Sequence, residues 1–203
     1  MIASWTKQGE KNSSVEADIH TLLFQRGYSS DNPDDSYSKH NLWLIDDKLS
    51  YFTTVESTKS GKRSSDIYLY LDQEDKPGEI IIIELKHPNK AHNTTEMITQ
   101  VRNYARDCYL SKDGSNLSRN RVNTKQCMFY GYIIASKEDI EKEVDENGHC
   151  NKIPFLEYSY YTMPTIPEIN EKDKKIHIDL LSFTDIKTLA ERRHKAFFRF
   201  LNP

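Results

Sequence analysis

Asp66, Glu84 and Lys86 are the residues in this chain whose types and spacing could do chemistry. Glu84 and Lys86 stand one residue apart where EIIIIEL (79–85) runs into KHP, after four consecutive isoleucines that predict a strand buried on both faces. Charges on such a strand are costly unless paired or bound to a cation, so the pair is either a strand-end salt bridge or a site. Upstream, DIYLYL (66–71) reads as the partner strand, across a turn containing Lys76, Pro77 and Gly78. A symmetric register centred on Asp75 sets Asp66 opposite Glu84. Alternation then puts Ile80, Ile82, Glu84 and Lys86 on one face with Asp66, Tyr68 and Tyr70, while Ile81, Ile83 and Leu85 enter the other layer. Opposed side chains lie roughly 5 Å apart at Cβ. Two carboxylates at that distance repel by about 3 kcal/mol at an effective dielectric of roughly 20. Lys86 offsets part of this. A divalent cation would offset more, and Mg²⁺ is typically held by one or two carboxylates together with phosphate oxygens.

Two helices must position whatever flanks this pair. The segment from about Thr95 to Tyr109 predicts a helix with Met97, Ile98, Val101, Tyr104, Ala105 and Cys108 inward. Its Gln100 and Tyr104 form a Q-x-x-x-Y pair on one stripe. The pair borders the hairpin if the helix packs there. Taken alone, it is more simply a core tyrosine beside a solvent-edge glutamine. A first helix from about Ser14 to Gln25 has Val15, Ile19, Leu22 and Leu23 on one face and Gly27 as a stop. Glu16, with His20 one turn later, has two readings of equal standing. Ser13-x-x-Glu16 fits a capping box, or Glu16 flanks the site as a third carboxylate.

The remaining pattern predicts a strand at NLWLI (41–45), a polar stretch ESTKSGKRSS, and a strand at QCMFYGYIIA. KEDIEKEVDE predicts a short solvated helix, EYSYY (157–161) and KIHIDLLS (175–182) further strands, and about Asp185 to Leu201 a closing helix. The expected fold is α/β (α+β), a mixed central sheet flanked by helices, in one domain over 1–203 with its core at about 14–135 and C-terminal strands and helix at 155–201. Cys108, Cys127 and Cys150 are widely spaced, which argues for a reducing, cytoplasmic setting and against zinc. MIASWTKQGEKNSS lacks an apolar core, so no secretory signal is expected, and no apolar run predicts a membrane span. A net charge of −3 leaves any nucleic-acid contact to local patches. One is the polar loop 111–125, where Lys112, Arg119, Arg121 and Lys125 outweigh Asp113. The basic closing helix reads more simply as a solvated face. Tyr158, Tyr160 and Tyr161 could stack on bases, although strand aromatics are more often packing.

Together, Asp66, Glu84, Lys86, Gln100 and Tyr104 resemble the PD-(D/E)xK nuclease superfamily: a strand Asp, an E-x-K strand and the Q-x-x-x-Y helix of some branches. Glu16 resembles the acidic residue that many members place on the first helix. Ser65 stands where the family name has Pro. From about Val15 to Leu201, the order of VEADIHTLLFQRGYSSD, HNLWLIDDKLSYF, SSDIYLYL, IIIIELKHP, ITQVRNYA and IHIDLLSFTDIKTLAERRHKAFFRFL is similar to a C-terminal module of large bacterial ATPases of the heat-shock-protein and histidine-kinase type. Starting at Met1, the chain reads as a free-standing version of that module or an excised one. The resemblance implies a restriction-endonuclease-like core and Mg²⁺- or Mn²⁺-dependent phosphodiester hydrolysis, as an endonuclease rather than an exonuclease. Asp66 and Glu84 would bind the metal with the Leu85 carbonyl and Glu16. Lys86 would orient or deprotonate the attacking water, and Gln100 and Tyr104 would place the substrate backbone. DNA is expected over RNA, with bacterial defence against phage DNA as the setting, and a co-encoded ATPase and a homodimer stay open as partners. The alternative is a catalytically silent, nuclease-derived module that binds nucleic acid or a partner ATPase.

Overall fold

The computed structural model describes residues 14–27, 40–52, 54–57, 66–71, 78–88, 96–110, 124–169 and 174–201. Its centre is a seven-stranded mixed sheet in the order β1-β2-β3-β4-β7-β6-β5. The strands are β1 (Thr54–Ser57), β2 (Ile67–Leu71), β3 (Glu79–Leu85), β4 (Met128–Ala135), β5 (Asn151–Lys152), β6 (Tyr160–Thr162) and β7 (Ile176–Ser182). Strands β3, β4 and β7 run parallel, and the outer pairs are antiparallel. Parallel neighbours need crossovers, and these are α2 (Met97–Leu110) between β3 and β4, and α3 (Lys137–Asn147) with the β5–β6 hairpin between β4 and β7. Helices α1 (Ser14–Leu23) and α4 (Phe183–Leu201) complete the set. An α/β architecture with a mixed sheet is what the alternation of strand and helix periods predicts.

The isoleucine run divides as side-chain alternation requires. Ile80 and Ile82 pack with Tyr68, Tyr70, Met97, Ile98, Val101 and Tyr104 on the α2 side. Ile81, Ile83 and Leu85 pack with Ile19, Leu23, Leu42, Leu49 and Leu181 on the α1 side. All of these are buried, so β3 is covered on both faces. Gly131 of β4 sets how closely α2 approaches. A Cβ there would lie 2.7 Å from Val101 Cγ1 and 3.2 Å from Ile178 Cγ1, so its absence brings the helix down onto the sheet.

Several expectations need correction. Residues 41–45 form no strand. Leu42–Leu44 and Asp47–Tyr51 are 3₁₀ turns, because Leu42, Ile45 and Leu49 are buried at spacings of three and four and Asp46 caps the second turn by accepting from the Lys48 amide at 3.0 Å. The strand predicted at 157–161 is confined to Tyr160–Thr162, since the Glu157 and Tyr158 amides donate to the Asp185 carboxylate instead of a ladder. Helix α3 is not merely solvated: Asp139, Ile140 and Glu143 are buried. Edge strand β1 includes Glu56 and Ser57 from the stretch read as polar, held by pairing with β2.

Candidate active site

Strands β2 and β3 pair Ile67 with Ile83, Tyr68 with Ile82 and Leu69 with Ile81. Asp66 is one residue ahead of that ladder, in register with Glu84, as the symmetric hairpin predicts. Its Oδ2 accepts from the Leu85 amide at 2.8 Å, which fixes the carboxylate beside β3. Lys86 is fixed in turn, its amide donating to the Ile134 carbonyl of β4 at 2.8 Å and so extending the parallel ladder.

From the end of β3 a chain of hydrogen bonds crosses to α2. Lys86 Nζ donates to Glu84 Oε1 at 2.9 Å and to Gln100 Oε1 at 2.6 Å. Gln100 Nε2 donates to the Tyr104 hydroxyl at 2.6 Å. Glu84, Lys86, Gln100 and Tyr104 are therefore one connected group. An ammonium carries three N–H donors, so Lys86 keeps one beyond these two contacts. Tyr104 is pushed up to about 12 by burial and by the Glu84 charge. It is a hydrogen-bond donor rather than a base.

The electrostatics centre on Glu84. Burial and the adjacent Asp66 charge raise its carboxyl to about 7, against the pull of Lys86. Asp66 is also raised, by burial first, while the Leu85 amide and His20 draw it down. Glu16 pushes both carboxyls upward, which places a third negative charge within reach of the pair. Glu84 Oε2 is buried without a hydrogen-bond partner. A buried, unsatisfied oxygen in a carboxylate pair that resists ionisation is the site a cation would satisfy.

The donor set constrains which cation. Among the described residues no group of three or more His, Cys, Asp and Glu side chains gathers closely enough to enclose a metal. The Asp66–Glu84 pair fits Mg²⁺ or Mn²⁺, which can keep water and substrate oxygens alongside one or two carboxylates. The residues that would hold it are Asp66 and Glu84, flanked by the Leu85 backbone; Glu16 of the first helix does not gather with them into a group of three.

Of two positioning residues, Glu143 carried no clear signal in the sequence, and His20 stood out only as the neighbour of Glu16 one turn on. Buried Glu143 of α3 accepts from the Met97 and Ile98 amides at 3.1 and 3.0 Å, capping the α2 N-terminus from another helix. It thereby holds the helix that carries Gln100 and Tyr104. His20 is buried under Asp66, with Nδ1 donating to the Phe24 carbonyl at 3.1 Å and Nε2 3.2 Å from both the Asp66 carbonyl and Ser57 Oγ.

Other candidates fall elsewhere. Arg119 and Arg121 lie outside the described residues, as does Ser13, the capping-box partner of Glu16. Tyr161 pairs with Asp179 on the face opposite Glu84 and stacks on His177 at 5.7 Å. Tyr158 hydrogen-bonds Glu157. In the basic closing helix, Arg193 donates to the Trp43 and Ile45 carbonyls, so part of that charge is structural. No described helix is long and apolar enough to cross a membrane. Comparison of the chain with protein-family models, curated proteins and solved structures returns no match.

Proposed function

We propose that this protein is a cation-dependent phosphodiesterase acting on nucleic acid, an endonuclease of the PD-(D/E)xK type with DNA as its substrate. The observation that carries the reading is the join between strand and helix: Glu84, Lys86, Gln100 and Tyr104 form one hydrogen-bonded chain. Asp66 is locked beside it, and Glu84 Oε2 is left buried and unpartnered. Lys86 satisfies one Glu84 oxygen, and the other is left buried and unpartnered on a carboxyl that the Asp66 charge disfavours ionising.

Asp66 and Glu84 are the residues to hold Mg²⁺ or Mn²⁺. Such an ion, when bound, supplies a Lewis acid for a phosphate oxygen and lowers the pKa of water. Lys86, with its remaining N–H, stabilises charge developing on the attacked phosphate and orients the attacking water. Gln100 fixes the Lys86 ammonium, and Tyr104, held protonated, offers its O–H to the substrate backbone. Glu16 adds negative charge that favours a cation without displacing Asp66 or Glu84. Defence against foreign DNA, with or without a co-encoded ATPase, is the setting suggested by the resemblance of the motifs.

The test is incubation of purified protein with plasmid, linear and single-stranded DNA and with RNA, in Mg²⁺, Mn²⁺ or EDTA, with and without a co-encoded ATPase. Cleavage of DNA in either metal and none in EDTA is the expected result. Binding with no cleavage under any condition would leave the silent-module reading in its place.

A further inference from the structure

Strand β1 ends on a hydroxyl where its pattern calls for an apolar side chain. Val55 and Ser57 point to the same face of the sheet, opposite Leu69 and Ile67 of β2. Val55, Leu69 and Ile67 are fully buried in the α1-side layer, which an apolar residue at 57 would continue. Ser57 instead meets a second polar group in that layer, the imidazole of His20, which is buried among the apolar positions of α1. Burying polar groups there costs free energy unless they are hydrogen-bonded, and a hydrophobic pair would pack without that cost.

The bonds of this pair form a connected path. Ser57 Oγ accepts from the amide of Gly27, beyond the end of α1, at 3.1 Å. The same oxygen lies 3.2 Å from His20 Nε2. A carbonyl only accepts, so His20 Nδ1 carries a hydrogen and donates it to the Phe24 carbonyl at 3.1 Å. The ring is therefore held at both nitrogens, by its own helix through Nδ1 and by β1 through Nε2. Held this way, Nε2 stands 3.2 Å from the Asp66 carbonyl oxygen.

Asp66 is a residue that needs such a hold. It precedes Ile67, the first residue of β2, and lies outside the residues that β2 and β3 pair. Its side chain is tied to β3 by the Leu85 amide at 2.8 Å. Its backbone is met from the other side by His20. The first contact fixes a carboxylate oxygen, and the second fixes the peptide from which that side chain springs. Groups standing behind a metal ligand in this way orient it and tune its affinity.

We propose that Ser57 is a positioning residue for the cation site, acting through the His20 ring on the Asp66 backbone. The inference rests on the reading of Asp66 as a cation ligand and adds to it the machinery that holds that ligand. Helix α1 supplies the ring, β1 supplies the hydroxyl that orients it, and the entry to β2 supplies the carbonyl that it meets. Ser57 and His20 bind no cation themselves. They keep Asp66 in register with Glu84.

The test is calorimetric titration of Mn²⁺ into the full chain, freed of metal and dialysed clear of chelator, at fixed pH and without nucleic acid. The parent, Ser57→Ala, Ser57→Thr and His20→Phe are compared, with urea denaturation of each. Ser57→Ala is expected to weaken Mn²⁺ binding by about tenfold and His20→Phe by up to about 100-fold, the range for groups behind a metal ligand. Ser57→Thr keeps the hydroxyl on a residue suited to a strand and is expected to bind like the parent. A hydroxyl of purely structural use would lower the stability of Ser57→Ala and leave the affinity of its folded form unchanged, and that result overturns the proposal. So does a Ser57→Thr variant that binds no better than Ser57→Ala. A parent that binds no Mn²⁺ removes the cation site and this inference with it. A parent that binds, beside Ser57→Ala and His20→Phe variants that bind equally well, overturns this inference alone.

Discussion

Replacing Glu84 by Gln removes a charge that folding forces out of water. In the folded protein burial and the Asp66 charge hold the Glu84 carboxyl at about 7, against an ordinary value of 4.5. Between those values the folded state keeps a proton that the unfolded chain has released. Stability therefore falls as pH rises through that window, and the loss is complete above it. A displacement of about 2.5 pH units corresponds to about 3 kcal/mol. Glu84→Gln has nearly the same shape and no titration, so its stability should lack this slope. Urea denaturation in EDTA, followed by far-UV circular dichroism from about pH 4.5 to about pH 8, should show the curves diverging until the variant is the more stable by about 3 kcal/mol. Mg²⁺ or Mn²⁺ at the upper end should then stabilise the parent and not the variant, because only the ionised pair gains by binding. Parallel stability curves would refute the reasoning, since Glu84 would then be as well solvated folded as unfolded.

Lys86→Ala should lower cleavage by about 10²–10³-fold, the scale for losing a preorganised charge stabiliser, and single-turnover kinetics would measure it. It should also move the Glu84 carboxyl further up, because the Lys86 charge draws it down. Cation affinity, followed by calorimetry, should fall progressively as pH drops below about 7, where Glu84 takes up its proton. Glu143→Ala should cost about 2 kcal/mol in urea denaturation and speed amide exchange at Met97 and Ile98, whose N–H groups lose their acceptor. Gly131→Ala should cost about 1–3 kcal/mol by pressing Val101, and with it α2, off the sheet. A variant as stable as the parent would mean that α2 does not rest on Gly131.

The hairpin was legible because its signals are local. Four isoleucines, an alternating partner and a Pro-Gly turn determine which residues face each layer, and the observed register of Ile67 with Ile83 follows from them. The i, i+4 spacing of Gln100 and Tyr104 likewise predicts a shared stripe, and the inward residues of α2 are all buried. What the sequence did not disclose depends on distant partners. NLWLI has the apolar content of a strand, yet Leu42, Ile45 and Leu49 are buried at helical spacing against α1 and the sheet. Glu157 and Tyr158 look like strand until Asp185, more than twenty residues on, takes their amides. Glu143 is one acid among several in KEDIEKEVDEN, and only the approach of the α2 N-terminus distinguishes it. Edge strands β1 and β5 are four and two residues long, too short for a periodicity of their own.

The most direct test of the proposed hydrolytic site is a plasmid-cleavage time course run side by side on the parent, Asp66→Asn and Lys86→Ala, in Mn²⁺ and in EDTA, with circular dichroism on each preparation. Cutting by the parent in Mn²⁺ alone, with each folded variant slower by at least about 10²-fold, is the predicted result. Folded variants that cut as fast as the parent would contradict it, and would remove Asp66 and Lys86 from the chemistry.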